Sequence, residues 1–270
     1  MIKHESNTEY HASAPYSRSR LWRIIEKNPE YFRYCESHPP EQTPAMLLGS
    51  VFHKLVLEPE DFSQEYAVAP ELDRRTSAGR AAWAAFSEAN AGRCLVPHDI
   101  YTRASEMAQA VSKNPLAAFL CGGETEVSHY FTDDLTGLPC KVRPDSFREV
   151  NGRGLIVDLK SCMSASNEDF MRHAVRMGYD MQSGMYKTGV EAVRGIECDF
   201  VFVAVEKDPP YLVNILRADD AMLKRGFDLY RECIGTVKHC LDTGIWYGFN
   251  GESQTINELS LPKWLAEQYE

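Results

Sequence analysis

Two aspartates and a lysine in the segment KVRPDSFREVNGRGLIVDLKS are the residues of this 270-residue chain whose type and spacing could do chemistry. Asp158 and Lys160 stand two apart at the end of the apolar run LIV. In a strand that spacing puts both on one face and turns Leu159 to the other. Asp145 lies about seven residues before the centre of the turn signal NGRG and Asp158 about five after it, so a hairpin lets the two carboxylates approach. Charged groups at the end of an apolar strand are costly without a partner or a metal. Magnesium demands hard oxygen ligands, usually one or two carboxylates with waters and a substrate phosphate. Asp145, Asp158 and the carbonyl of Leu159 could supply them. Such an ion would polarise a phosphodiester and lower the pKa of a bound water, while Lys160 positions that water or offsets the charge that develops on the phosphate. Metal-dependent hydrolysis of a phosphodiester is the chemistry to expect.

The elements that must position these residues follow from the pattern along the chain. Residues 1–15 read as a flexible lead. A helix then begins at Ser17 or Ser19, with Leu21, Trp22, Ile24 and Ile25 on its apolar side and Arg18, Arg20, Arg23 and Lys27 making it basic. That charge suits either a solvated face or a contact with phosphates. A second helix runs from about Pro44 through Leu57, stopped by Pro59, and places Gly49 and His53 four apart on one face. Residues 71–119 look largely helical, with Trp83, Phe86, Tyr101, Met107 and Val111 as core candidates. From Thr125 the pattern changes to an antiparallel meander through TEVSHYFTD, LPCKVRPDSFREV and GLIVDLKS. Residues 166–193 return to helix, CDFVFVAVEK is a further strand, and 217–242 form a long amphipathic helix. The fold class expected is α/β, a mixed central sheet flanked by helices with helical N-terminal additions, in one domain over 1–270. Within it, 16–120 are mostly helical, 121–215 hold the catalytic sheet and the helix after it, and 216–270 form a C-terminal helix and tail.

Composition bounds the answer. The hydrophobic content of 44% is enough for a substantial core, and the longest apolar runs fall well short of the roughly 20 residues that cross a bilayer. The first residues lack the apolar centre of a secretory signal, so a cytoplasmic location and no membrane partner are expected. Eight cysteines stand alone with no C-x-x-C pair, which argues for reduced, buried thiols rather than structural zinc, a disulfide framework or an iron–sulfur cluster. The formal charge of −10 argues against non-specific coating of nucleic acid, because such binding is driven by cations displacing counterions. It leaves room for an enzyme with carboxylates at its centre and a basic lining inside an acidic exterior.

RPD at 143–145 followed by DLK at 158–160 resembles the two-part signature of the PD-(D/E)XK nuclease superfamily. GSVFH resembles the Gly-x-x-x-His helix of RecB-like nucleases, QSGMY resembles their Gln-x-x-x-Tyr motif, and the four elements keep the order and spacing of that family. More narrowly, YHASAPYSRSRLWRIIEKNPEYFRY, LGSVFHKLVLEP and TGIWYGF are similar to the RecE group, exodeoxyribonuclease VIII of prophages, over nearly the whole chain. The resemblance implies that His53, Asp145, Asp158 and the carbonyl of Leu159 ligate a metal, Mg²⁺ with Mn²⁺ able to substitute, and that Lys160 is the catalytic lysine. It implies that Gln182 and Tyr186, four apart on one helix face, support the site and touch the DNA backbone. It further implies a 5′ to 3′ exonuclease on linear double-stranded DNA that releases mononucleotides and leaves 3′ tails for recombination. A ring-shaped homotetramer and a single-strand annealing protein as partner follow from the same resemblance.

Other readings remain at this stage. A structure-specific or restriction-like endonuclease shares the core, and a catalytically inactive DNA-binding module or a metal-independent binding protein could share it too. Glu124 and Glu126 lie just before the sheet and stay outside the catalytic set, having only local position in their favour. Arg172 and Arg176 share a helix face and could track phosphates.

Overall fold

Apolar residues alternate in two directions along the strands that follow residue 150, and a sheet covered on both faces is the result. The computed structural model describes residues 1–39 and 41–268. The N-terminal half contributes β1 (Ile2–Lys3), α1 (Asn7–Ala12), α2 (Arg18–Glu26), α3 (Pro29–Ser37), α4 (Pro44–Leu57), α5 (Phe62–Glu65), β2 (Tyr66–Val68), α6 (Ser77–Ala89), β3 (Cys94–Val96), α7 (His98–Lys113) and α8 (Pro115–Cys121). The strands β4 (Glu124–Thr125), β5 (Ser128–Thr132), β6 (Pro139–Val142), β7 (Ser146–Val150) and β8 (Arg153–Cys162) follow. The chain ends with α9 (Asn167–Arg176), α10 (Tyr179–Arg194), β9 (Cys198–Glu206), β10 (Val213–Arg217), α11 (Asp220–Thr243) and α12 (Lys263–Ala266).

The main sheet has the order β10-β9-β8-β7-β4. It is mixed: β8 and β9 run parallel across the α9–α10 crossover, and the other pairs are antiparallel. Ile156, Phe200, Phe202 and Ala204 belong to the cluster with α10 and α11, whereas Val157, Leu159, Val201, Val203 and Val205 belong to the cluster with α4, α7 and α8. Leu159 is fully buried there, a placement worth roughly 1.5–3 kcal/mol. Its neighbours Asp158 and Lys160 therefore face α10.

Local signals set the helices that matter for the site. Thr43 caps α4, its side chain accepting from the Met46 N–H at 3.2 Å, and Pro44 occupies the first turn, where its missing N–H costs nothing. α10 and α11 cross where Gly184 meets Gly226: a Cβ on Gly226 would stand 1.7 Å from the Asp180 carbonyl oxygen. Only glycine permits that approach.

Several expectations change. The supposed flexible lead carries β1, which pairs with β5, and α1, because the edge of β5 offers unpaired backbone groups and the α-amino group donates to the Tyr130 carbonyl at 2.7 Å. The meander is split: β1, β5 and β6 form a separate three-stranded sheet, and the chain changes sheets at 143–145. The region 71–119 includes β3, which pairs in parallel with β2, and α6 packs loosely enough to leave Trp83 and Phe86 half-buried, with Arg74 3.3 Å above the Trp83 ring. Met107 and Val111 are in the core. β10, inside no expected element, completes the sheet as an edge strand. All eight cysteines are free and seven are buried. Among the described residues no helix is long and apolar enough to cross a membrane.

Candidate active site

The β4–β7 and β7–β8 ladders end at one level. Thr125 of β4 stands opposite Ser146 of β7, and Ser146 opposite Val157 of β8. The next residue on each strand is an acid: Glu126, Asp145 and Asp158. The sheet change at 143–145 stops β7 at this point, and the gap it leaves lets side chains from both faces of the sheet meet.

Asp145 is the meeting point. Its Oδ2 accepts from the Leu159 N–H at 2.6 Å, and its Oδ1 lies 3.5 Å from His53 Nδ1, which comes from α4 on the opposite face to Asp158. In a strand, N–H and C=O of one residue point to the same edge, so the Leu159 carbonyl also turns toward the gap. On the α10 face, Asp158 is buried and accepts from Gln182 Nε2 at 2.5 Å, with Lys160 Nζ at 2.5 Å from its other oxygen. Lys160 also lies 4.7 Å from the centre of the Tyr179 ring. Tyr186, one turn beyond Gln182, packs against Phe200 and lines the cleft. This cleft, of about 660 Å³, is also lined by Gly49, His53, Glu126, Asp145 and Lys160.

Glu126 is the residue that sequence reasoning left out. One ligand atom each from His53, Glu126 and Asp145 lies within 4.8 Å of the others, so the three form a group able to hold a cation. Its backbone adopts φ 53°, a left-handed conformation that few non-glycine residues take outside constrained sites. The signal available in the sequence was its place in the hairpin register, which required the β4–β7 pairing to be known. Glu124 is directed elsewhere, to a two-pronged pair with Arg194 at 2.9 and 3.0 Å.

Charge state follows from burial and neighbours. Burial pushes the Asp158 carboxyl up to about 6, with Lys160 opposing and Asp145 assisting. Burial likewise pushes Glu126 up to about 7, with Asp145 adding to it. Burial works against a charged His53, yet Asp145 outweighs it and holds the imidazole above its ordinary value. Burial would raise Asp145, but His53, Lys160 and the Leu159 N–H together hold it below the usual range. For Lys160, burial is outweighed by Asp158 and the surrounding anions, so its ammonium is held above the ordinary value. In the metal-free site it is protonated at neutral pH.

Residues 28–258 match the family described as a PDDEXK-like domain of unknown function. The chain belongs to this family. Among solved structures, a candidate exonuclease from Eubacterium rectale superposes with a TM-score of 0.64 at 15% identity, over 96% of this chain and 97% of that one, which shows the fold. A second structure, SSO0001, covers 50% of this chain and 67% of its own at 16% identity, and its TM-score of 0.27 is too low to bear on the fold. No curated protein matches the chain significantly. The PDDEXK-like match begins after β1, α1 and α2, yet Glu5, Tyr10 and Arg18 from this N-terminal stretch line the cleft.

The donor set of this PDDEXK-like domain fits a divalent metal: the His53 imidazole and the carboxylates of Glu126 and Asp145 form one group, and Asp158 stands at the same end of the sheet outside that group. The buried Asp158 Oδ2 is met by Lys160 Nζ at 2.5 Å, so without a metal the lysine supplies the positive charge that this carboxylate needs. All the residues singled out by the signature are thus brought together. The phosphate-tracking candidates fare differently: Arg172 pairs with Glu168 and Asp169 on its own helix, and of the basic α2 residues Arg18 reaches the cleft while Arg20 pairs with Glu36.

Proposed function

We propose that the protein is a Mg²⁺-dependent exonuclease that degrades linear double-stranded DNA from 5′ to 3′, releasing mononucleotides and leaving 3′ single-stranded tails for recombination. The observation that carries the hydrolysis is the row Glu126, Asp145 and Asp158 across β4, β7 and β8, completed by His53 and Lys160 at one cleft. A divalent ion bound there supplies polarisation of the scissile phosphate and a water acidic enough to attack it. The carboxylates suit Mg²⁺, and the imidazole makes Mn²⁺ an acceptable substitute. The chain's own residues do the rest. His53, Asp145, Asp158 and the Leu159 carbonyl are the proposed ligands, with Glu126 added to them. Lys160 holds a positive charge next to Asp158, where it stabilises negative charge developing on the phosphate. Gln182 keeps the Asp158 carboxylate oriented, and Tyr186 contacts the DNA backbone from the same helix.

Digestion from an end is supported by the RecE resemblance, and the Eubacterium rectale structure carries the name of an exonuclease. A ring-shaped homotetramer and an annealing protein as partner belong to the same proposal. The cleft mixes Arg18, Lys54, Arg143 and Lys160 with Glu5, Glu58, Asp61 and Glu65, so its lining is of both signs. The test is digestion of end-labelled linear duplex with Mg²⁺ beside a closed circle. Loss of the linear substrate alone supports the reading; cleavage of the circle replaces it with an endonuclease. An Asp158→Ala variant that degrades DNA as well as the parent would place the chemistry elsewhere.

A further inference from the structure

Arg143 stands two residues before Asp145, where the chain leaves β6 for β7, and the reading above gives it no task. It is only 8% exposed, and arginine is rarely so buried without a partner. Its Nε donates to the Glu126 carbonyl at 2.8 Å and lies 2.9 Å from the Glu126 carboxylate, so one nitrogen grips main chain and side chain of the same residue. Nη2 donates to the Glu5 carbonyl at 3.1 Å and fixes the guanidinium from the other side. Glu126 is a residue that needs holding. It carries the left-handed backbone at φ 53°, and its carboxylate is crowded toward a second one on Asp145.

The geometry points to Arg143 as a positioning residue that fixes Glu126 in this conformation, its carboxylate turned toward His53 and Asp145, so that Glu126 serves with them as a metal ligand. The inference rests on the metal-dependent reading above. Coulomb attraction and repulsion alone argue for the opposite effect: a guanidinium beside the group opposes entry of another cation, so removing it should tighten metal binding. Positioning demands that removing it weaken binding. The sign of one measurement therefore separates the two.

The measurement is Mn²⁺ binding to the full-length protein by titration calorimetry, with free Mn²⁺ read independently by electron paramagnetic resonance. Glu126→Gln and Arg143→Gln should each weaken binding by about 10–100-fold, the range seen when a residue supporting a metal ligand is lost. The double variant should be no weaker than either single one. Arg143→Lys keeps the charge but lacks the planar guanidinium that holds Glu126 through Nε while Nη2 anchors it to the Glu5 carbonyl, so its affinity should fall as well. This variant carries the test if Arg143→Gln fails to fold. Wild-type or tighter binding by either Arg143 variant, or losses that multiply in the double variant, overturns the inference. If the parent binds Mn²⁺ and Asp145→Asn abolishes it while Arg143→Gln retains it, only the role of Arg143 falls. A parent that binds no Mn²⁺ overturns the metal-dependent reading itself, and this inference with it.

Discussion

Glu126 and Asp145 face each other at the step where the β4–β7 ladder ends, the Glu126 N–H donating to the Asp145 carbonyl at 3.2 Å. Asp158 stands one strand further on, and the three acids share one end of the sheet with His53 and Lys160. Such an arrangement is expensive for the protein alone. Burial lifts Glu126 to about 7 and Asp158 to about 6, so as pH falls both take up protons well before an ordinary carboxyl would, Glu126 already near neutrality.

Stability of the metal-free protein should therefore fall as pH rises from about 4 to 7. A carboxyl whose folded pKa is raised binds its proton more tightly folded than unfolded, so its deprotonation costs stability across that window. Every tenfold gain in proton affinity on folding corresponds to about 1.4 kcal/mol, and the two groups together amount to a few kcal/mol. His53, also raised, adds a loss of the same sign above its unfolded value. Urea denaturation in EDTA at pH 5 and pH 8 checks this, and saturating Mg²⁺ should reverse the trend. Equal or greater metal-free stability at pH 8 would contradict the assigned site charges.

Gln182→Ala removes the hydrogen bond that favours ionised Asp158. The acidic limb of the pH profile of kcat/KM should move to higher pH by about 0.5–1. A lower plateau with an unmoved limb would make Gln182 a packing residue only.

Gly49 lies in the middle of α4, one turn before His53, and a Cβ there would meet nothing within 4 Å. Internal packing does not require glycine, and an exposed helix interior favours alanine by about 1 kcal/mol. Gly49 lines the cleft, so on the proposed function the open space beside it would be left for substrate. Gly49→Ala should raise the melting temperature and at the same time raise KM for DNA. A variant that gains stability with unchanged kinetics would leave the glycine without a role in binding.

Gly226→Ala should behave in the opposite way. The added methyl must displace Asp180 or push α11 away from α10, at a cost of about 2 kcal/mol or more, and activity should drop because Gln182 and Tyr186 ride on α10. Gly235 on the same helix is the control: its Cβ meets nothing, and alanine there should stabilise by about 0.5–1 kcal/mol. Similar melting temperatures for the two variants would rule out close helix contact at Gly226.

Much of this was legible in the chain because the signals are local. The spacing of Asp158 and Lys160 fixes a shared strand face, Pro44 and Pro59 bound α4, and the helical pattern puts Gln182 and Tyr186 together. Family motifs then joined segments that lie far apart in sequence. The weaker readings were those in which a segment's state depends on what it packs against. β1 forms only because β5 presents an open edge, β2 and β3 only because they meet each other, and Trp83 reads as core although α6 leaves it half-buried.

The sequence by itself determined which residues could do the chemistry, since side-chain type and strand or helix period are written into the chain. Tertiary structure alone decided how they meet. The change of sheet at 143–145 ends β7 and opens the gap at Asp145, through which His53 approaches from one face while Gln182 holds Asp158 on the other. The pairing of β4 with β7 puts Glu126 beside Asp145, and Arg143 turns it inward. No periodicity within a segment encodes those contacts, because they are set by which strands pair and where the pairing stops.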